Sequence, residues 1–403
     1  MTTMKFILIS LFMSTMAFAR YDDTLPKGVR LMALRQVNSD RVNEFHNITG
    51  SKEGYSVDFK LDSQALSQID LVNEYILKDL KNSSPEAYEK LIAAEYRFDV
   101  KANVNVTGIG FGYGLSNNLT FYGVIPYYRA SVDVRPRRTK DNNYDEVNSA
   151  LNSSKNKVGI VLDMNSLPDV DEGLVQSAVQ NFYGYQALGK WEASGLGDIE
   201  LGIKKRFASW SNGGALYSLG VVLPTGRIDN PDIIQDVGFG TGHWSGFLEA
   251  GVGQSIKKSD INFYARAQHF LPTTKRLRPS STNSDLTDQS LNFDIQPGLK
   301  LTISPSHTYH YSGWWQIHTG LTYERKLEDN YESSNLYFDQ KLEVITSWES
   351  TTFNLGLDFS TVDAYKKKQF LAPGSVGIKM DKTISGRNIP DVTLYSAEVR
   401  LYF

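Results

Sequence analysis

From the middle of the chain onward, apolar and polar residues alternate along segments separated by turns rich in Gly, Asn, Ser and Pro. In 198–207, Ile199, Leu201, Ile203 and Phe207 share one face, opposite Asp198, Glu200, Lys204 and Arg206. In 291–303, Leu291, Phe293, Ile295, Leu299, Leu301 and Ile303 oppose Asn292, Asp294, Gln296, Lys300 and Thr302. Phe353, Leu355, Leu357 and Phe359 oppose Asn354 and Asp358, and the chain closes on Ala397, Val399, Leu401 and Phe403 opposite Glu398, Arg400 and Tyr402. A period of two belongs to strands.

A soluble sandwich alternates as well, but here the polar faces carry charges of both signs. The apolar faces carry aromatics near strand ends, such as Tyr309, Tyr311, Trp315 and Tyr323. That combination predicts an all-β chain forming a transmembrane antiparallel barrel, apolar toward lipid and polar toward the lumen, with aromatic girdles. Short turns are expected at 116–118, 209–213, 257–260, 304–307 and 347–350. Long connections are expected near 135–195, 225–242, 272–288, 325–334 and 362–391. Because outer-membrane barrels keep short turns in the periplasm, the long connections are assigned outside. Eleven strands are read from about 94 onward, and 28–36 supplies a twelfth.

Helical periodicity marks 63–80, with Leu66, Ile69, Val72, Ile76 and Leu80 on one stripe. A second helix begins at Ser83–Glu86, which has capping-box spacing, and a third spans 171–182. By the turn logic these helices lie outside, as loop or plug. Pro126 and Pro297 fall inside predicted strands, and each implies a bulge or a strand boundary.

The 403 residues are 41% hydrophobic, too many for a disordered chain. Lys+Arg (42) nearly balance Asp+Glu (45), so no basic field points to nucleic acid. There is no cysteine, which removes disulfides, thiolate metal sites, thiol nucleophiles and a lipoprotein anchor. Lys5, the apolar run Phe6–Met13 and Ala17-Phe18-Ala19 read as a secretory signal over 1–19, cleaved after Ala19. The mature chain then divides into 20–93, a strand plus helical segment, and 94–403, the barrel. The expected location is the outer membrane of a Gram-negative bacterium.

Short motifs resemble one family of such barrels. They are Gly114-Leu115-Ser116-Asn117-Asn118-Leu119-Thr120 with Ile125-Pro126-Tyr127, Ser194-Gly195-Leu196-Gly197-Asp198 leading into Gly202-Ile203-Lys204, and Leu223-Pro224-Thr225-Gly226-Arg227. Gly240-Thr241-Gly242-His243-Trp244 and Ser385-Gly386-Arg387-Asn388 extend the match. The family is the one named for the meta-cleavage pathway of phenol degradation. The resemblance runs from about residue 94 to the end and leaves the N-terminal third unmatched. It implies a barrel that moves aromatic or other small organic molecules across the outer membrane.

Strand parity assigns Asp198, Glu200, Lys204, Arg206, Glu249, Arg266, Asp294, Lys300, Asp339, Lys341, Glu343, Asp358, Glu398 and Arg400 to the lumen wall. Arg97, Asp99, Lys101 and Glu324 follow the same parity. Such charges either line a polar conduit or cross-brace a narrow interior, where pairing offsets desolvation. Loop cations at Arg135, Arg137, Arg138, Lys140, at Lys275, Arg276, Arg278 and at Lys366–Lys368 are all expected outside. There they are positioned to meet lipopolysaccharide phosphates, ordinary loop solubility being the competing reading.

His243/Ser245 and His310/Ser312 each place imidazole and hydroxyl on one strand face, the arrangement a lipid-hydrolysing barrel would use. No orienting third member is evident for either pair. Gly238-x-Gly240-x-Gly242 lacks a βαβ context for phosphate and reads as a flexible loop. Asp169, Asp171 and Glu172 read as the acidic start of a helix. No catalytic residue, cofactor or metal site is assigned. The expected function is passive passage of small molecules, hydrophobic or aromatic ones among them. The alternatives are a structural or surface-recognition barrel and, third, a lipid-modifying enzyme. Expected partners are outer-membrane lipid, lipopolysaccharide, an unidentified small-molecule substrate and, through the C-terminal strand, the barrel-assembly machinery.

Overall fold

A computed structural model describes residues 23–67, 72, 76–153, 163–166, 169–279, 287–344 and 346–403. The expected signal over 1–19 lies outside the described residues. By its contacts the chain divides into two units. One comprises the residues up to Gly54, Lys101–Val132 and Trp191–Phe403; the other comprises Tyr55–Val100 and Asp133–Lys190. The division cuts across the boundary expected at 93/94, because strand Ile92–Ser116 contributes residues to both.

The first unit holds a closed antiparallel barrel. Its strands are β1 (Arg30–Ser39), β2 (Ile92–Ser116, in this unit from Lys101), β3 (Leu119–Lys140, in this unit to Val132), β4 (Ile199–Trp210), β5 (Gly213–Leu223) and β6 (Ser245–Ile256). They continue as β7 (Ser259–Phe270), β8 (Lys300–His310), β9 (Trp315–Lys326), β10 (Trp348–Ser360), β11 (Gly374–Arg387) and β12 (Thr393–Tyr402). Each strand pairs with the next, and β12 returns to β1 from Leu31↔Tyr402 to Ser39↔Leu394, so the ring has no free edge. Closure is what lets a sheet span lipid, since every backbone N–H and C=O finds a partner.

Parity sets the two surfaces. On β2, Ile109, Phe111, Tyr113 and Leu115 are exposed, while Gly108, Gly110, Gly112 and Gly114 between them are buried. On β6, Leu248 and Val252 face out, and Ser245, Phe247, Glu249 and Gly251 face in. Large apolar side chains exposed on one face of every barrel strand suit lipid rather than water.

The strand count came out as expected because two differences cancel, and three further boundaries differ. Residues 336–343, read as part of a strand, form a helix (Leu336–Glu343) capped by the Asn335 side chain, which accepts from Tyr337 N at 3.1 Å. The stretch 362–391, read as one long connection, contains β11. The expected turn at 304–307 lies within β8; the chain turns at 311–314 instead. The expected turn at 347–350 is the start of β10, at the other end of the barrel. Segment 291–303 breaks at Pro297: Leu291–Gln296 joins a separate three-stranded sheet with Thr273–Leu277 and Asn330–Glu332, and β8 starts at Lys300. There Phe293 and Ile295 enter a small core with Leu277, Tyr331 and Phe338 instead of facing lipid. Pro126 sits just past the last β3–β4 pair, Val124↔Glu200, where no ladder N–H is needed.

In the second unit, Ser56–Asp62 pairs with the N-terminal part of β2. The expected helix over 63–80 is present as Ser63–Leu66 and Lys78–Ser83, with some residues between them outside those described. The next helix is Pro85–Lys90, and its cap is Ser84 rather than Ser83: Ala87 N donates to Ser84 Oγ at 3.2 Å. Proline fits this first-turn position because its missing N–H would be unpaired there anyway. Asp171 caps Glu172–Ser177 by accepting from Leu174 N at 2.7 Å. A helix not read from the sequence, Tyr144–Ser153, gives the apolar stripe its partner. Leu77, Leu80, Ala87 and Leu91 pack with Tyr144, Val147 and Met164 in one core.

Candidate functional site: the barrel interior

The interior of the barrel has two unlike walls. On β1 and β2 the inward residues are Leu31, Ala33 and Val37, interrupted by the buried Arg35, then Val106 and the alternate glycines 108–114. Glycine and alanine leave room where twelve strands enclose little space, and a stripe of them makes an apolar trough. The chain preceding β1 occupies part of that room. Leu25 N donates to Thr120 Oγ1 at 2.8 Å, Lys27 N to Asn117 Oδ1 at 3.0 Å, and Gly28 N to Gly114 O at 2.8 Å. Gly114 has to be glycine here, since a Cβ would strike the Pro26 carbonyl.

The facing wall is charged. Arg266 on β7 donates to Glu200 on β4 at 2.8 Å and to Glu249 on β6 at 3.0 Å. Tyr264 Oη donates to Glu249 at 2.7 Å, and the Arg266 guanidinium lies 3.9 Å from the Phe247 ring centroid. One guanidinium thus ties three strands together. A second network crosses β8 to β12. Ser304 meets Thr322 at 3.1 Å, Thr322 donates to Asn354 at 2.9 Å, and Asn354 donates to Asp381 at 2.7 Å. Asp381 takes Lys379 at 2.7 Å and lies 3.8 Å from Arg35, which donates to Ser396 at 3.2 Å. Lys300 and Glu324 pair at 2.9 Å, and Arg400 pairs with Glu398. Between the walls is a cavity of about 610 Å³ that reaches from Thr24–Pro26 to Glu200 and Glu249.

Of the residues assigned to the lumen, Glu200, Lys204, Glu249, Arg266, Glu398 and Arg400 line this cavity. Lys300 and Asp358 are inward on β8 and β10. Arg206 pairs with Asp23 at 3.2 Å. Four assignments are corrected. Asp339, Lys341 and Glu343 lie on the helix Leu336–Glu343, so period-two parity does not apply to them. Asp294 belongs to the small sheet outside the barrel, where Thr274 Oγ1 donates to it at 2.5 Å.

Asp198 has a role the sequence did not indicate. It is 1% exposed and accepts from Gly226 N at 3.0 Å, Thr241 N at 2.7 Å and Thr241 Oγ1 at 3.0 Å. The carboxylate therefore pins the connection 224–244, and Gly240 is glycine because a Cβ would meet that carboxylate. The loop around it is packed: Arg227 forms a bidentate pair with Asp236 at 2.8 and 2.6 Å and lies over the Trp191 and Phe239 rings, and Phe239 stacks on Tyr128. The glycine run 238–242 is thus the close-packed part of a knot, not a flexible loop. Three of the motif segments singled out in the sequence meet here. Lys275 donates to Thr241 O, and burial pushes its ammonium down to about 8.

The loop cations are engaged by acids. Arg138 grips Asp169 at 2.5 and 2.7 Å, which holds that carboxyl below its usual range. Arg135 pairs with Asp133 at 2.9 Å and Arg137 with Asp99 at 3.4 Å. Arg276 and Arg278 share Asp232 at 2.5 and 2.7 Å. Lys366–Lys368, expected outside, lie in the connection 361–373, at the barrel end that carries the short turns. In both His-x-Ser pairs the side chains are engaged elsewhere. His243 Nδ1 meets Leu271 O at 3.1 Å while Ser245 Oγ accepts from Gln268 at 2.8 Å. His310 Nε2 meets Asp260 at 2.7 Å while Ser312 Oγ accepts from Trp314 N and Trp315 N, both at 3.2 Å.

No protein-family model and no curated protein matches the chain. Solved structures do. An outer membrane channel from Pseudomonas putida F1 is 13% identical with a TM-score of 0.53, over 96% of this chain and 100% of that one. A mutant of the monoaromatic hydrocarbon channel TodX (10% identity, TM-score 0.37, 94% of this chain and 91% of that) and a Pseudomonas aeruginosa FadL homologue (8%, 0.33, 96% and 91%) align more loosely. The fold of this chain is that of a closed outer-membrane barrel with twelve strands.

Proposed function

We propose that this protein is a passive outer-membrane channel for small, largely apolar molecules, and a member of the family named for the phenol meta-cleavage pathway. The observation that carries the reading is the cavity of about 610 Å³, bounded on one side by a glycine and aliphatic trough. An apolar solute gains by leaving water for such a surface, by about 25 cal/mol per Å² buried. Secretion with cleavage near Ala19 and residence in the outer membrane of a Gram-negative cell belong to the same reading. So does the absence of enzymatic chemistry, supported by the separate engagements of His243, Ser245, His310 and Ser312. The test is single-channel recording in planar bilayers together with uptake of a monoaromatic solute into vesicles. Aromatic uptake with small ionic conductance is the expected result; neither uptake nor conductance from a folded barrel overturns the reading.

A second reading, a structural barrel without transport, is favoured by the cross-braced networks about Arg266 and Asp381, which occupy interior space. The same recording separates the two. Lipopolysaccharide remains a proposed partner through Arg135, Arg137, Arg138, Lys275, Arg276 and Arg278. Arg135 and Arg137 keep more solvent-facing side chains than Arg138, Arg276 and Arg278, at 70% and 58% exposure. The terminal strand ending in Phe403 is proposed to engage the assembly machinery.

A further inference from the structure

The connection between β10 and β11, residues 361–373, is built unlike the other turns at its end of the barrel. Those at 117–118, 211–212 and 257–258 are two residues long, and 311–314 is four. This one carries a short helix, Val362–Lys366, and then two consecutive features. The first is Lys366-Lys367-Lys368, all exposed, opposed within the segment by Asp363 alone, 3.6 Å from Lys366. The second is Phe370-Leu371, with Leu371 97% exposed.

Neither feature is accounted for by internal packing. Lysines near a helix C-terminus are favoured by the helix dipole, but that effect fades within one turn. Lys368 already lies beyond the helix, in the left-handed region at φ 58°. Leu371 covers nothing. Its neighbour Phe370 packs edge-on against Trp314, which stacks on Phe359, and Trp315 meets Phe359 in turn. Ser360 N donates to Trp314 O at 2.8 Å, which fixes the segment beside the 311–314 turn. The apolar tip is therefore continuous with the aromatic girdle and with the lipid-facing side chains of β9 and β10. Aromatic rings at a barrel rim sit at headgroup depth. A leucine at that level enters the acyl region, and adjacent lysines meet lipid phosphates.

We infer that residues 361–373 form a phospholipid clamp, with Lys367 and Lys368 holding an anionic headgroup while Phe370 and Leu371 insert beside it. Short turns mark the periplasmic end, so the occupant is an anionic phospholipid of the inner leaflet, not lipopolysaccharide. The inference rests on the outer-membrane reading. A chain that inserts into no bilayer sinks that reading, whereas insertion without headgroup preference sinks only this one.

The test uses the full-length barrel in bilayers of phosphatidylethanolamine with and without phosphatidylglycerol. Retained lipids are counted by native mass spectrometry after extraction. Wild type is expected to retain phosphatidylglycerol over phosphatidylethanolamine, and K367Q/K368Q to lose at least about fivefold of that preference, each lysine near an anionic surface contributing roughly a factor of five. Leu371→Gln is expected to lower retention of both lipids while keeping their ratio. Unaltered heat-modifiability on gels shows that each variant is folded. Equal retention of the two lipids by wild type, or an unchanged ratio in K367Q/K368Q, would overturn the proposal.

Discussion

The two walls of the barrel interior solve the same problem by opposite means. The β1–β2 wall keeps the lumen open by having few large side chains: alternate glycines from 108 to 114, and Ala33 beside Leu31, with Arg35 the exception on β1. The β4, β6 and β7 wall fills its share with Glu200, Glu249, Tyr264 and Arg266, charges that are tolerable only because each satisfies another. Buried ions bring little net stability but penalise any broken arrangement heavily, so this wall is rigid. The glycines of the other wall have nothing to break, and filling them would be felt as lost space. One wall is thus sensitive in stability and the other in passage.

The largest effect is expected at Arg266. Arg266→Leu leaves Glu200 and Glu249 buried without their cation and should cost about 3–5 kcal/mol. Glu200→Gln and Glu249→Gln added to it should restore most of the loss. Urea or heat unfolding followed by band shift on gels measures both, and a silent Arg266→Leu would mean that the charged wall is not a brace. Next, both walls should respond alike on their outer faces. Ile109→Arg on β2 and Leu248→Arg on β6 should each cost about 2–4 kcal/mol if near the midplane. A large effect at one and none at the other would show that one strand does not face lipid.

Gly108→Leu probes the other side of the contrast. It should leave unfolding within about 1 kcal/mol of wild type, the range of a volume change that has room to fit. Solute uptake should nevertheless fall at least about tenfold, a factor equivalent to 1.4 kcal/mol of barrier. Stability lost without a change in uptake would reverse the assignment of the two walls. A further test concerns a buried cation outside the barrel wall, Lys275. Its folded pKa near 8 lies below the ordinary 10.5, so between those values the unfolded chain binds more protons than the folded one. Stability therefore rises with pH from 8 to 10.5, relative to Lys275→Met. A melting series over that window should show the gain in wild type, and parallel curves for the two proteins would remove the effect.

Much of this was legible in the chain. Alternation in 198–207 placed Glu200 and Lys204 inward because a strand reverses its side chains at every residue whatever lies around it. The same rule failed for Asp339, Lys341 and Glu343. Residues 336–343 have enough apolar positions to mimic a strand, and only the cap by Asn335 and the packing of Phe338 and Leu342 on the small sheet select a helix. Segment 374–387 does not read as a strand because its inward positions include Gly377, Lys379, Asp381 and Thr383, and its outward row is interrupted by Lys382. The helix 144–153 has a weak apolar stripe, made meaningful only by Leu77, Leu80 and Leu91 against it.

The sequence by itself determined the class of fold; the strand number agreed because one expected strand is a helix and one connection holds a strand. The class follows from a local period of two, from turn residues, and from the absence of any apolar run long enough for a helix to cross a bilayer. Tertiary structure alone decided which charges share a partner. Arg266 lies far along the chain from Glu200, and Asp198 gathers Gly226 and Thr241 from a connection that reads as loose. It also decided at which end Lys366–Lys368 emerge, because one unrecognised strand reverses the direction of everything that adjoins it. Local pattern sets what each segment can be. Pairing between distant segments depends on register around a closed ring, which no single segment encodes.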